Sequence, residues 1–296
     1  MQSVQLVEVA PRDGLQNEST ILSTDEKLRL VDGLIGSGVR RIEVTSFVNP
    51  ARLPQLADAD ALAARLPRGT ISWIGLVLNE RGLDRALAAG MDEVNVVVVA
   101  TDTFSRRNQG VSVDEAIQAW NRIAARAQAL GVRTTVTIAA AFGCPFEGEV
   151  TVDQVADVLA RCVDAQPDEV ALADTIGVGV PAQVRALNDL AGEVAPGIPL
   201  RWHFHNTRNT GYANALTAVE LGAAALDASA GGIGGCPFAP AATGNIATED
   251  LIYLLDRSGV QTGVSGEALF PVATMLGSLL GTPVPGQLAR AGWFPA

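Results

Sequence analysis

Apolar positions along this chain alternate between two rhythms. Short runs rich in Val, Ile and Leu occur at QLVEVA, RRIEVTSF, SWIGLVL, EVNVVVVA, RTTVTIAA, EVALADT, LRWHFHN and ALDASAGG, each the length of a β-strand. Between them apolar residues recur every three to four positions, the period of an amphipathic helix, over 24–37, 51–66, 80–89, 112–130, 151–165, 181–194, 210–221 and 247–257. Ser23 or Thr24, Ser112, and Thr151 with Gln154 three residues on mark helix starts, because their side chains can satisfy the free N–H groups of a first turn. Gly38, Gly90, Gly131 and Gly222 stand where helices would end in a left-handed cap. A run such as VNVVVV, without polar alternation, suits a parallel strand covered on both faces.

Eight β/α repeats without a break in composition predict the α/β class and a TIM (β/α)8 barrel. The expected organisation is one catalytic barrel domain over 1–296, with Gly- and Pro-punctuated helices over 260–296 as a C-terminal extension. A doubly wound open sheet is the alternative, but no G-x-G-x-x-G follows the first strand. In a barrel the C-terminal ends of the strands converge on one face, where active sites lie. That face would gather Arg12 and Asp13 after the first strand, Glu43, Thr45 and Ser46 at the second, and Asn79 after the third. Asp174 and Thr175 follow the sixth strand, His203 and His205 lie on the seventh, and GGIGGCPFAPAATGN follows the eighth.

Composition narrows the function. With 48% hydrophobic and 18% charged residues in 296, the chain can bury a large core and is not disordered. No apolar stretch approaches the roughly 18 to 20 residues of a membrane span, and MQSVQLVEVA has no basic flank of a signal peptide, so no membrane partner is expected. A net charge of -11 argues against nucleic acid. Cys144, Cys162 and Cys236 lie far apart with no C-x-x-C, which points to a reducing cytoplasm and no zinc finger. Lys27 is the only lysine and falls in an amphipathic pattern, its ammonium expected toward solvent. Schiff-base chemistry, which needs a desolvated lysine in a pocket, is thereby excluded.

The chain has two histidines, His203 and His205, both in the seventh strand. Residues i and i+2 of a strand face the same way, so both imidazoles can address one point in the barrel mouth. Two imidazoles, one carboxylate and an open position make a divalent-metal site. Asp13 is a reachable carboxylate, because the first strand of a closed barrel adjoins the last. Packing inside the barrel is the plainer alternative. PRDGLQNE, residues 11–18, would give Asp13 to the metal and Arg12 to a developing oxyanion, or hold a loop-stabilising Arg–Asp pair. The glycine-dense loop AGGIGGCPFAPAATGNIATEDL, residues 230–251, reads as a lid carrying Cys236 as a proton-donating thiol rather than an incidental one. Cys144 reads as structural and Cys162 as core.

VEVAPRDGLQNE, IEVTSF, GCPFEG, DTIGVG, HFHNT and GGIGGCPFAPAATGN-ATEDL together closely resemble the 3-hydroxy-3-methylglutaryl-CoA (HMG-CoA) lyases, over about residues 4–265. The resemblance implies Mg²⁺ or Mn²⁺ held by Asp13, His203, His205 and Asn245. It further implies catalysis by Arg12, Glu43, Asp174 and Cys236, with Arg12 and Gln16 in contact with an acyl-CoA thioester. A homo-oligomer, dimer or tetramer, and a place in leucine degradation and ketone-body formation go with that family. Departures from its usual motifs occur at HFHNTRNT, at Ala171–Leu172–Ala173 before Asp174, at Ser19 and at VLNERG, and none removes an expected ligand.

The chemistry so implied is cleavage of HMG-CoA, or a close 3-hydroxy-acyl-CoA, into acetyl-CoA and a keto acid. Asp174 or a histidine would take the hydroxyl proton, Arg12 would face the thioester oxygen, and Cys236 would protonate the acetyl-CoA carbanion. Two alternatives stand beside it: a Claisen-type synthase of the isopropylmalate or homocitrate kind, and a catalytically silent barrel that binds acyl-CoA.

Overall fold

Each of the eight runs forms a strand in the computed structural model, which describes residues 2–235 and 244–294. In chain order they are β1 (Gln5–Glu8), β2 (Arg41–Ser46), β3 (Ser72–Val77), β4 (Glu93–Val99), β5 (Arg133–Ala139), β6 (Glu169–Asp174), β7 (Leu200–Phe204) and β8 (Ala225–Ala228). All pair in parallel with their sequence neighbours, and β8 pairs with β1 through Leu226 opposite Leu6 and Asp227 opposite Val7, closing the barrel. The TIM barrel is therefore the observed fold. Helices α1 (Thr24–Gly36), α2 (Ala59–Ala63), α3 (Glu80–Ala88), α4 (Asp102–Asn108), α5 (Val113–Ala129), α6 (Val152–Val163), α7 (Pro181–Val194), α8 (Gly211–Glu220) and α9 (Thr248–Arg257) surround it. α10 (Gly266–Leu280) and α11 (Leu288–Ala291) follow, as the punctuated C-terminal pattern led one to expect. Among the described residues no helix is long and apolar enough to cross a membrane.

Local chemistry accounts for the boundaries. Ser23 with Glu26, Ser112 with Glu115 and Thr151 with Gln154 each close a reciprocal capping box, satisfying two N–H groups that a helix start leaves free. Gly38, Gly90, Gly131 and Gly222 all have positive φ. The expected helix over 51–66 breaks in two, a tight turn at Pro54–Leu56 and then α2. Pro54 cannot donate to a preceding turn and drives Leu53 to φ −138°, so no helix crosses that point. α4 was not legible: its stretch, DTFSRRN, has too few apolar residues to show a period.

The main core lies between barrel and helices, with Trp73, Trp120 and Trp202 fully buried. The barrel interior is different. A small apolar cluster of Val7, Val9, Ile74 and Ala225 shares it with buried charges. At the strand starts, Arg41 donates to Glu93 at 2.5 and 2.9 Å and to Glu169 at 2.7 and 2.9 Å. One layer higher lie Glu43, Asn95, Arg201 and Asp227, all buried. Barrels of this class are usually filled by branched apolar side chains, so this polar stack is a departure.

Lys27 also departs from expectation. It is buried, its ammonium pairs with Asp58, and it donates to the Gln55 carbonyl at 2.6 Å. Position 27 belongs to the same stripe as Leu30, Val31 and Leu34, so its aliphatic stem follows that stripe inward despite the charge at its end. It does not line the barrel-mouth cavity.

Candidate active site

At the C-terminal face a cavity of about 750 Å³ opens, within the range of small-molecule sites. Arg12, Asp13, Gln16, His203, His205 and Asp227 line its inner end. The strand pleat turns both imidazoles the same way, and their Nε2 atoms lie 3.1 Å apart. Asp13 Oδ2 stands 3.9 Å from each. It comes from the tight turn Ala10–Gly14, which follows β1 and bends the chain over the barrel mouth. Asn245 donates to Asp13 Oδ2 at 2.9 Å and to the Ile233 carbonyl at 3.0 Å, while its own Oδ1 is buried without a partner among the described residues. Gly234, at φ +108°, lets the backbone pass here; a Cβ on it would lie 2.5 Å from Asn245 Nδ2.

Asp13, His203 and His205 thus form a candidate metal centre. The separation of the two imidazole nitrogens is close to the roughly 3 Å edge of an octahedron with about 2.1 Å ligand distances. The unpartnered Asn245 Oδ1 is a fourth donor, and an oxygen of the kind Mg²⁺ or Mn²⁺ prefers. The residues present fit such an ion.

Electrostatics around the centre are strongly organised. Burial favours a neutral Asp13, but the Arg12 guanidinium and the two imidazoles outweigh it and bring its carboxyl down to about 2. Burial and the neighbouring His203 lower His205 to about 3, so it stays neutral and ready to ligate. Burial would lower His203 as well, yet the hydrogen bond to Asp227 and the charge of Asp13 raise it. Arg12 donates to Asp13 Oδ1 at 2.6 Å and through Nε to Glu43; its longer approach to Gln16 is 3.5 Å. Glu43 is fully buried and also accepts from Asn95 at 3.0 Å. A bulge between Glu43 and Thr45 in β2 aims that carboxylate toward Arg12.

Asp174 is not brought into the cavity. Glu169, Ala171, Ala173 and Thr175 share the inward pleat of β6, so Asp174 faces the other way, and Ala173 and Thr175 line the cavity instead. Its oxygens accept from the amides of Val178 and Gly179, each at 2.9 Å, and burial raises its pKa. Asp174, expected to take the hydroxyl proton, is held here by the amides of the IGVG loop. Cys236 lies outside the described residues; the loop leading to it reaches the cavity at Gly234 and Gly235, and Asn17 donates to the Gly235 carbonyl at 2.6 Å. Cys144 is buried and accepts from Thr101 at 3.1 Å, and buried Cys162 is raised to about 12 by desolvation.

Asp227 is the site residue that sequence reading missed. It lies opposite His203 in the β7–β8 register and accepts from His203 Nδ1 at 3.1 Å, leaving Nε2 to face the cavity. The signal was present: an acid inside the otherwise uncharged run ALDASAGG, the strand that follows the histidine strand.

Two further acids grip the base of the glycine loop. Glu8 accepts from the amides of Ala10 and Ala230 at 2.8 and 3.0 Å and from Thr248 at 2.7 Å; Glu249 accepts from the Gly231 amide at 3.0 Å. Burial raises each to about 7 from 4.5. A carboxyl raised on folding stabilises fully below its unfolded value, and that contribution is lost as pH rises through the folded value. Between pH 5 and 8 Glu8→Gln should therefore gain on the wild type by on the order of 2 kcal/mol. Urea denaturation at both pH values measures it, and a constant difference would contradict it.

The fold and this site define a barrel enzyme with a candidate divalent-metal centre at its C-terminal face. The HMGL-like family model matches residues 3–276, and the chain belongs to that family. It is 42% identical to an (R)-citramalyl-CoA lyase of Chloroflexus aurantiacus, over 99% of this chain and 96% of the relative. With the hydroxymethylglutaryl-CoA lyase YngG of Bacillus subtilis it shares 37% identity, over 96% and 95%. A solved HMG-CoA lyase of Acinetobacter baumannii, in complex with coenzyme A and 3-methylmalate, superimposes with a TM-score of 0.94 at 37% identity, covering 99% and 96% of the two chains. The chain is an HMGL-like enzyme, and its relatives are named lyases.

Proposed function

We propose that this protein is a Mg²⁺- or Mn²⁺-dependent carbon–carbon lyase that cleaves HMG-CoA into acetyl-CoA and acetoacetate. The observation that carries this is the triangle of Asp13, His203 and His205 with Arg12 beside it, inside one cavity. Asp13, His203, His205 and Asn245 would hold the ion, which when bound supplies Lewis acidity to the substrate hydroxyl. Arg12 would stabilise the thioester oxygen as negative charge develops there, with Gln16 beside it in the substrate pocket. Glu43 keeps Arg12 pointed at that place, and Asp227 does the same for His203. Asp174 acts by shaping the loop that follows it. Cys236 would return a proton to the acetyl-CoA carbanion. A homo-oligomer and a cytoplasmic setting accompany this reading.

A second reading has one specific support, the 42% identity to a citramalyl-CoA lyase. Citramalyl-CoA is one methylene shorter, and the same bond cleavage yields acetyl-CoA and pyruvate. The test offers both thioesters with Mg²⁺ and identifies the keto acid. Acetoacetate supports the first reading and pyruvate the second; neither product, with condensation instead, would favour the Claisen-type alternative.

Cys236→Ser is expected to bind metal and substrate normally but to turn over at least about ten-fold more slowly, because a hydroxyl is a far weaker acid than a thiol near 8.5. Cys144→Ser is the control. Wild-type turnover in Cys236→Ser would remove the thiol from the chemistry.

A further inference from the structure

Two groups of the site are steered by carboxylates, and both carboxylates face one buried cation. Arg201 lies on β7 two residues before His203, so its side chain enters the barrel one layer below the imidazole. It is fully buried. Its Nε lies 3.4 Å from Asp227 Oδ1 and 3.5 Å from Glu169 Oε1, and Nη2 lies 3.9 Å from Glu43 Oε2. Asp227 turns its other oxygen to His203 Nδ1, and Glu43 turns its other oxygen to Arg12 Nε. Arg41, in the layer below, closes short hydrogen bonds to both of its partners. Among the described residues Arg201 closes none, and stands between three acids instead.

We infer that Arg201 is a positioning residue, the central cation that holds Asp227 behind His203 and Glu43 behind Arg12. Without it those carboxylates would face each other across a buried barrel layer, and their repulsion would move them off the groups they orient. Arg201 reaches the reaction only through them. The sequence disguised it, because a charged residue at the second position of LRWHFH reads as a solvent-facing strand start.

Having two histidines makes the test clean, since ¹⁵N-histidine labelling yields two imidazole systems. In metal-free wild-type protein the His203 Nδ1 proton, shared with Asp227, should give a downfield resonance. Arg201→Gln should shift or abolish that resonance and lower kcat about ten- to a hundred-fold with KM little changed, the usual cost of losing a partner behind the ligands. Arg201→Lys keeps the charge but not the fork, and should fall between the two in both readouts. A wild-type resonance and wild-type kcat in Arg201→Gln, with only the melting temperature lowered, would overturn the assignment. Should Arg201→Gln fail to fold, Arg201→Lys decides alone, and an unshifted resonance with unchanged kcat overturns it there. Only the kinetic arm rests on the lyase reading; if the wild type cleaves no acyl-CoA, the spectrum still decides.

Discussion

Arg12→Gln should lose about two to three orders of magnitude in kcat, the usual cost of removing a donor aimed at developing negative charge. The expectation follows from where Arg12 is held. Glu43 fixes Nε and Asp13 fixes one Nη, so the guanidinium is locked beside the candidate metal centre before any substrate arrives. Glutamine keeps some hydrogen-bonding capacity but no charge. Glu43 retains Asn95 and the nearby Arg201, so the fold should survive. Titration calorimetry with Mn²⁺ should give a stoichiometry unchanged from wild type. A raised KM at constant kcat would make Arg12 a ground-state binding residue instead.

His205→Ala should weaken divalent-metal binding by more than about a hundred-fold, since even partners behind the ligands typically cost ten- to a hundred-fold. His205 stays neutral, with Nε2 toward His203 and Asp13, and its Nδ1 has no hydrogen-bond partner among the described residues. Removing it therefore breaks no side-chain hydrogen bond but the 3.1 Å one between the two imidazoles. The variant should fold, bind Mn²⁺ poorly, and recover part of its turnover at high metal concentration. Tight binding retained in His205→Ala would move the ion elsewhere.

How legible all this was depends on which side of a strand carries the information. Runs such as VNVVVV and the capping residues Ser23, Ser112 and Thr151 gave the eight β/α units because their signals are local. His203 and His205 could be paired from the two-residue period alone, and Asp13 could be added because a closed barrel makes first and last strands neighbours. Asp174 could not be placed that way. Its inward or outward aim depends on the pleat of β6, which Glu169 and Thr175 reveal only once their partners are known. Arg41, Glu93, Glu169 and Arg201 were illegible for the converse reason. Charges at strand starts look like solvent contacts until the barrel closes and they neutralise one another. Asp227 needed the β7–β8 register to be seen as the partner of His203. Lys27 needed Asp58, which lies 31 positions away, to be understood as buried.

The central claim is that these residues form a metal centre that breaks a carbon–carbon bond in a 3-hydroxy-acyl-CoA. Its most direct test is release of acetyl-CoA from HMG-CoA and from citramalyl-CoA by chelator-stripped protein, before and after Mg²⁺ or Mn²⁺ is returned. The account predicts no release from the stripped protein, and recovery on adding either ion with at least one of the two thioesters. Full release by protein verified to be metal-free would contradict it.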